Sequence, residues 1–168
     1  MVKLNLGCGR KYLDGYVNCD AVESVKTDKV FDLNVTPYPF EPNSVDEVLM
    51  DNVLEHLDDV VRVIEELHRV LRPGGRAVII VPYGKSDWAF QDPTHRHFFT
   101  ERSMDYFTLE HGYNFYSKAQ FNLLKAKLIT NSHTPRLRLR NLLPFKSVLR
   151  YFLYNVYDVV HFELQKPS

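Results

Sequence analysis

The residues whose types and spacing could first do chemistry in this chain are Gly7-Cys8-Gly9 and Asp20. Two glycines one residue apart remove the Cβ atoms that would hold a ligand off the backbone, and they allow positive φ at a bend. Asp20 stands at the tip of the next apolar run. A carboxylate there can accept hydrogen bonds from both hydroxyls of a ribose. Asp32 stands at the tip of the third run, farther along the same rim and within reach of a base. Each feature alone is an ordinary turn, but their joint placement favours an adenosine-type ligand. No third glycine completes a dinucleotide fingerprint, and no Gly-Lys-Ser/Thr ending makes a P-loop.

A second group lies at Asp92-Pro93-Thr94-His95-Arg96-His97-Phe98-Phe99. His95 and His97 are the candidate catalytic residues, as general bases. His-x-His beside an aspartate can bind zinc, but further ligands are lacking and no metal is expected. The plainer alternative is a hydrogen-bonded aromatic loop. His56, in Leu54-Glu55-His56, reads as structural.

The elements that must position these groups follow from periodicity. Val2, Leu4 and Leu6 make a strand that stops at the glycine turn. Tyr16–Cys19, Lys29–Phe31 and Glu47–Met50 read as further strands. The link from Gly9 to Asp20 is too short for a full crossover helix, so one helical turn or a loop is expected there. Asp58 or Asp59 caps the clearest helix, in which Val60, Val61, Ile64, Leu67, His68 and Leu71 follow a 3.6 period. Glu65 and Arg69 read as an i,i+4 pair on its wet side, and Pro73-Gly74-Gly75 as its stop. Ala77–Val81 is an apolar run of the kind buried on both faces of a sheet. Thr100 caps a short helix through Phe107, and Phe121–Ile129 and Val159–Leu164 read as the last two strands. Between them, Phe145, Val148, Leu149, Phe152, Leu153, Val156 and Tyr157 line one face of a predicted helix. Strands alternating with a helix define an α/β doubly wound, mostly parallel sheet.

At 168 residues the chain reads as one domain, 1–168, with a ligand-binding half at 1–82 and an acceptor-side half at 83–168. The net charge is zero but uneven. Residues 132–168 carry Arg136, Arg138, Arg140, Lys146, Arg150 and Lys166 against Asp158 and Glu163. That is too mild for a nucleic-acid footprint, although the arginines would favour an anionic small molecule. Large aromatics in the same stretch, such as Tyr151 and Tyr154, suggest a pocket cover or a homodimer contact. Cys8 and Cys19 make no disulfide framework, and no run has the length of a membrane span, so a cytoplasmic protein is expected.

Leu4-Asn5-Leu6-Gly7-Cys8-Gly9, Asp20, Asp32-Leu33, Ser44-Val45-Asp46-Glu47-Val48-Leu49, Asn52-Val53-Leu54-Glu55-His56-Leu57 and Glu66 through Arg76 occur in that order. Over about residues 2–82 the series resembles the successive motifs of class I S-adenosylmethionine-dependent methyltransferases. The resemblance implies a seven-stranded Rossmann-like sheet with a reversed strand near its end, from which this chain departs in its shortened N-terminus, starting directly at the first strand. It also implies methyl transfer from S-adenosyl-L-methionine as cofactor, and the acceptor expected here is a small-molecule or glycan-like one. By position, Leu6, Gly7, Cys8 and Gly9 would face the methionine moiety and Asp20 the ribose. Asp32 and Leu33 would border the adenine, with Asp51 and Asn52 near the sulfonium. Alignment of the reactants can supply roughly 7–11 kcal/mol, so such chemistry does not require a prominent base. A silent cofactor-binding module and a nucleotide-sugar or NAD-dependent enzyme are the alternatives.

Overall fold

The computed structural model describes residues 1–108, 116–130 and 139–168. Seven strands form one sheet: β1 (Lys3–Leu6), β2 (Val17–Asp20), β3 (Lys29–Val30), β4 (Val45–Asp51), β5 (Leu71–Pro82), β6 (Asn122–Ile129) and β7 (Val159–Gln165). Their order is β3-β2-β1-β4-β5-β7-β6. The first five run parallel, and β7 runs antiparallel to both of its neighbours. This is the mostly parallel seven-stranded α/β sheet that the sequence implies, reversed strand included.

Alternation, rather than burial on both faces, governs β5. Ala77, Ile79 and Val81 of β5 are fully buried, while Val78 and Ile80 are only half-buried. Helix α1 (Val60–Val70) lays Val63, Ile64, Leu67 and Val70 into the core. Asp59 caps it by accepting a hydrogen bond from the Arg62 amide at 3.0 Å. Arg69 pairs not with Glu65 but with Glu66, through Nη2–Oε1 and Nε–Oε2 contacts of 2.5 and 2.8 Å. Glu66 is the buried member of the two, and its Oε1 also accepts the Tyr38 amide at 2.6 Å, tying the proline-rich loop to the helix. Glu65 instead accepts from the Ser117 hydroxyl at 2.9 Å. The helix ends at Val70, before Pro73, because Leu71 already pairs with Val45. Pro73-Gly74-Gly75 occupies the register shift that follows.

The link from Gly9 to β2 is a loop, and Thr100 precedes a 3₁₀ turn at Ser103–Phe107 rather than an α-helix. Two further short helices are α2 (Asp87–Phe90) and α3 (Lys146–Leu149). The predicted helical face over 145–157 does not form. Only one α-turn is present there, preceded by Phe145 at φ 52°. Phe145 and Phe152 are 80% and 81% exposed, whereas Val156 is buried. Asn155, at φ 57°, breaks the run before Val156 and Tyr157, so its apolar side chains do not share one face against the sheet. Arg136 and Arg138 lie outside the described residues. Arg140 forms a forked pair at 2.8 Å with both oxygens of the buried Asp158.

Candidate active site

Parallel pairing brings the carboxyl ends of four strands to one edge. Leu6 is level with Cys19 and Met50, and Asp51 with Ile80. The strand order reverses between β1 and β4, and crevices at such switch points are where open α/β sheets bind ligands. Gly7, Asp20 and Asp51 therefore meet at one rim, as their places in the sequence predict.

The glycine turn is held from below. Asn5, buried in β1, donates through Nδ2 to the Lys11 carbonyl at 2.7 Å and to Asn18 Oδ1 at 2.9 Å. Asn18 is fully buried and donates to the Leu13 and Tyr16 carbonyls. Gly7 adopts φ +66°, and a Cβ there would lie 2.5 Å from Val53 Cγ2. Gly9, at φ +50°, has open space where its Cβ would stand. Its amide donates to Asp20 Oδ2 at 2.8 Å, while Asp20 Oδ1 accepts from Val22 at 3.0 Å. Asp20 thus closes the turn and still carries free lone pairs on both oxygens.

Asp32 is exposed and accepts the Asn34 amide at 2.8 Å. Leu33 is buried beside it, its carbonyl accepting from the Tyr38 hydroxyl. Asp51 pairs with Lys11 across the crevice. Asn52 takes a left-handed φ of 56° and donates to Asp51 Oδ1 at 2.8 Å. Lys11, Asp51, Asn52, Ile80, Trp88 and Val159 line one continuous cleft. Burial and the nearby Asp20 charge push the Cys8 thiol up, and burial pushes Cys19 to about 12. Both cysteines are neutral packing groups.

The loop after β5 folds onto the turn at Leu54–His56. The Glu55 carbonyl accepts from the Arg96 and His97 amides at 2.8 and 3.3 Å. His97 Nε2 donates to the Leu57 carbonyl at 2.9 Å, and the ring lines a second cleft with Phe98, Ser103 and Tyr106. His95 is turned inward instead. Its Nδ1 donates to the Ala89 carbonyl at 3.0 Å, and its Nε2 lies 3.9 Å from Glu55 Oε1. Glu55 is fully buried, and burial raises its carboxyl to about 7, with the charges of Asp51 and Asp92 pushing the same way. Burial, then the neighbouring His95, lowers His56.

Sequence reasoning found the rim residues but missed Asn5, Asn18 and Glu55. Asn5 had a signal, since a polar residue facing the core between Leu4 and Leu6 needs buried partners. Glu55 was read only as part of a structural Leu-Glu-His.

A Rossmann-like sheet with one reversed strand, and a glycine turn facing an acidic strand tip, makes a fold of the methyltransferase type. Residues 4–79 match the profile of a family described as a methyltransferase domain. That match covers less than half of the chain and is consistent with a class I S-adenosylmethionine-dependent methyltransferase. An uncharacterized methyltransferase of Mycobacterium sp. (strain JLS) is 37% identical over 83 residues, which is 46% of this chain and 31% of that protein. The chain covers less than a third of the length of the curated relatives it matches. A SAM-dependent methyltransferase from Archaeoglobus fulgidus has a similar fold, with a TM-score of 0.68 at 16% identity over 98% of this chain and 85% of that one. A putative methyltransferase complexed with the Haloferax volcanii Trm112 activator gives 0.65 at 18% identity, over 99% and 83%.

Proposed function

We propose that this chain transfers a methyl group from S-adenosylmethionine to a small-molecule or glycan-like acceptor. The observation that carries the reading is the Gly9–Asp20 hydrogen bond at the β1–β4 switch point, which fixes an open glycine turn against a carboxylate with lone pairs to spare. The residues present fit the cofactor. Gly7, Cys8 and Gly9 would hold its methionine end by backbone contact, Asp20 its ribose hydroxyls, and Asp32 with Leu33 the edge of its base. When bound, S-adenosylmethionine supplies an electrophilic methyl group. Asp51 and Asn52 would orient that end of the cleft, and Lys11 balances the Asp51 charge.

His97 is the better placed of the two candidate bases. Its Nε2–H is committed to Leu57, which leaves Nδ1 unprotonated in the neutral ring and able to take a proton from an acceptor in the adjoining cleft. His95 is instead held by the Ala89 carbonyl and takes no part in this reading. A general base of this kind typically adds about 10²–10⁴-fold. The test is incubation with isotopically labelled S-adenosylmethionine and a pool of cell metabolites. Labelled product that has gained one CH₂ supports transfer. Cofactor binding without any labelled product would make the chain a silent binding module.

A further inference from the structure

We infer that Glu55, His56 and His95 form a binding site for one divalent transition-metal ion of the Zn²⁺ type. This departs from the sequence expectation of no metal, and it rests on three observations that the methyltransferase reading does not use. One donor atom from each of these side chains lies within 4.8 Å of the others. The Glu55 side chain is fully buried, yet neither of its oxygens has a hydrogen-bond partner, and Oε1 stands 3.9 Å from His95 Nε2. That separation is too long for a hydrogen bond. A carboxylate left so costs folding free energy unless something positive meets it.

The third observation is the orientation of the two rings. The Ala89 carbonyl can only accept, so His95 carries its proton on Nδ1 and turns the Nε2 lone pair toward Glu55. His56 Nδ1 lies 2.9 Å from the Thr94 hydroxyl, which itself donates to Asp92 Oδ1 at 2.7 Å. Thr94 therefore accepts from His56, and its Nε2 is again the nitrogen left to ligate. Outer partners of this kind, a carbonyl behind one histidine and a hydroxyl backed by a carboxylate behind the other, fix the tautomers of metal-binding imidazoles. Two imidazoles beside a buried carboxyl group whose oxygens have no hydrogen-bond partner suit a cation.

The donor set points to the ion. Two imidazoles and one carboxylate suit Zn²⁺ or its borderline neighbours rather than Mg²⁺ or Ca²⁺, which prefer all-oxygen shells. Metal–ligand distances near 2.0–2.2 Å place donors roughly 3–3.5 Å apart, so the three groups must draw in slightly on binding. Three protein ligands leave a coordination position open, as catalytic zinc sites do. Under the methyltransferase reading, and resting on it, that position would take an oxygen of the acceptor, beside the cleft end marked by Asp51 and Asn52. The acceptor class is then one with a hydroxyl or carboxylate oxygen.

Calorimetric titration with Zn²⁺, and absorption with Co²⁺ as a spectroscopic probe, test the site on the whole chain. One ion per chain is expected, with visible Co²⁺ bands and no sulfur charge-transfer band. Glu55→Gln and His56→Asn should each weaken binding at least tenfold. Thr94→Val, at an exposed position that cannot unfold the core, should weaken it about 10–100-fold. No binding by the wild-type chain, binding that these substitutions leave unchanged, or a thiolate band implicating Cys8 or Cys19 would overturn the site. S-adenosylhomocysteine titrated into the same samples separates the two readings. Cofactor binding without metal binding removes only the metal site, and metal binding without cofactor binding removes only the methyltransferase assignment.

Discussion

Asp20 has two tasks at once, and its substitution separates them from those of its neighbours. Its oxygens hold the Gly9 and Val22 amides and face the position proposed for the ribose. Charged hydrogen bonds are worth about 1.5–3 kcal/mol each. Asp20→Ala should therefore weaken S-adenosylhomocysteine binding by at least tenfold in calorimetry, and unchanged affinity in a folded variant would remove the ribose role. Gly7 is constrained differently. Gly7→Ala must push its methyl against Val53 while holding a left-handed φ, so a loss of about 1–3 kcal/mol is expected in denaturant unfolding. The rim was legible because strand tips and glycine turns are local features. Glu55 was not, because its meaning depends on His95 arriving from a loop forty residues away.

At the scale of elements, α1 and its contacts carry the clearest pH signature. Burial, then the Lys166 charge, lowers the His68 imidazole, and a hydrogen bond to the Gln120 backbone only partly opposes this. The folded state then holds fewer protons than the unfolded chain below about pH 6.5. Stability should be full above that pH and fall as pH drops through the depressed folded value. His68→Gln should flatten this part of the profile, read as the difference from wild type in thermal unfolding. Equal slopes would show that His68 does not titrate with folding. The helix itself was readable from its 3.6 period and Asp59 cap. Its choice of Glu66 over Glu65 was not, because the Tyr38 amide that fixes Glu66 comes from a distant loop.

For the whole molecule, the sheet order follows from motif order, whereas the segment before β7 was misread. An apolar period of 3.6 counts only if something covers that face, and residues 145–154 leave theirs in solvent. Exposed and buried aromatics should behave oppositely in denaturant unfolding. Phe152→Ser should change stability by no more than about 0.5 kcal/mol, while Phe162→Ala in the core should cost about 3–5 kcal/mol. The homodimer stays a proposal for the same exposed segment, and a monomeric mass by sedimentation would end it. The central claim, that the β1–β4 edge holds S-adenosylmethionine, is tested most directly by ligand-induced stabilisation. At about 100 times its dissociation constant, S-adenosylhomocysteine should raise stability by about 2.7 kcal/mol while NAD leaves it unchanged. Stabilisation by NAD with none by S-adenosylhomocysteine would contradict the account.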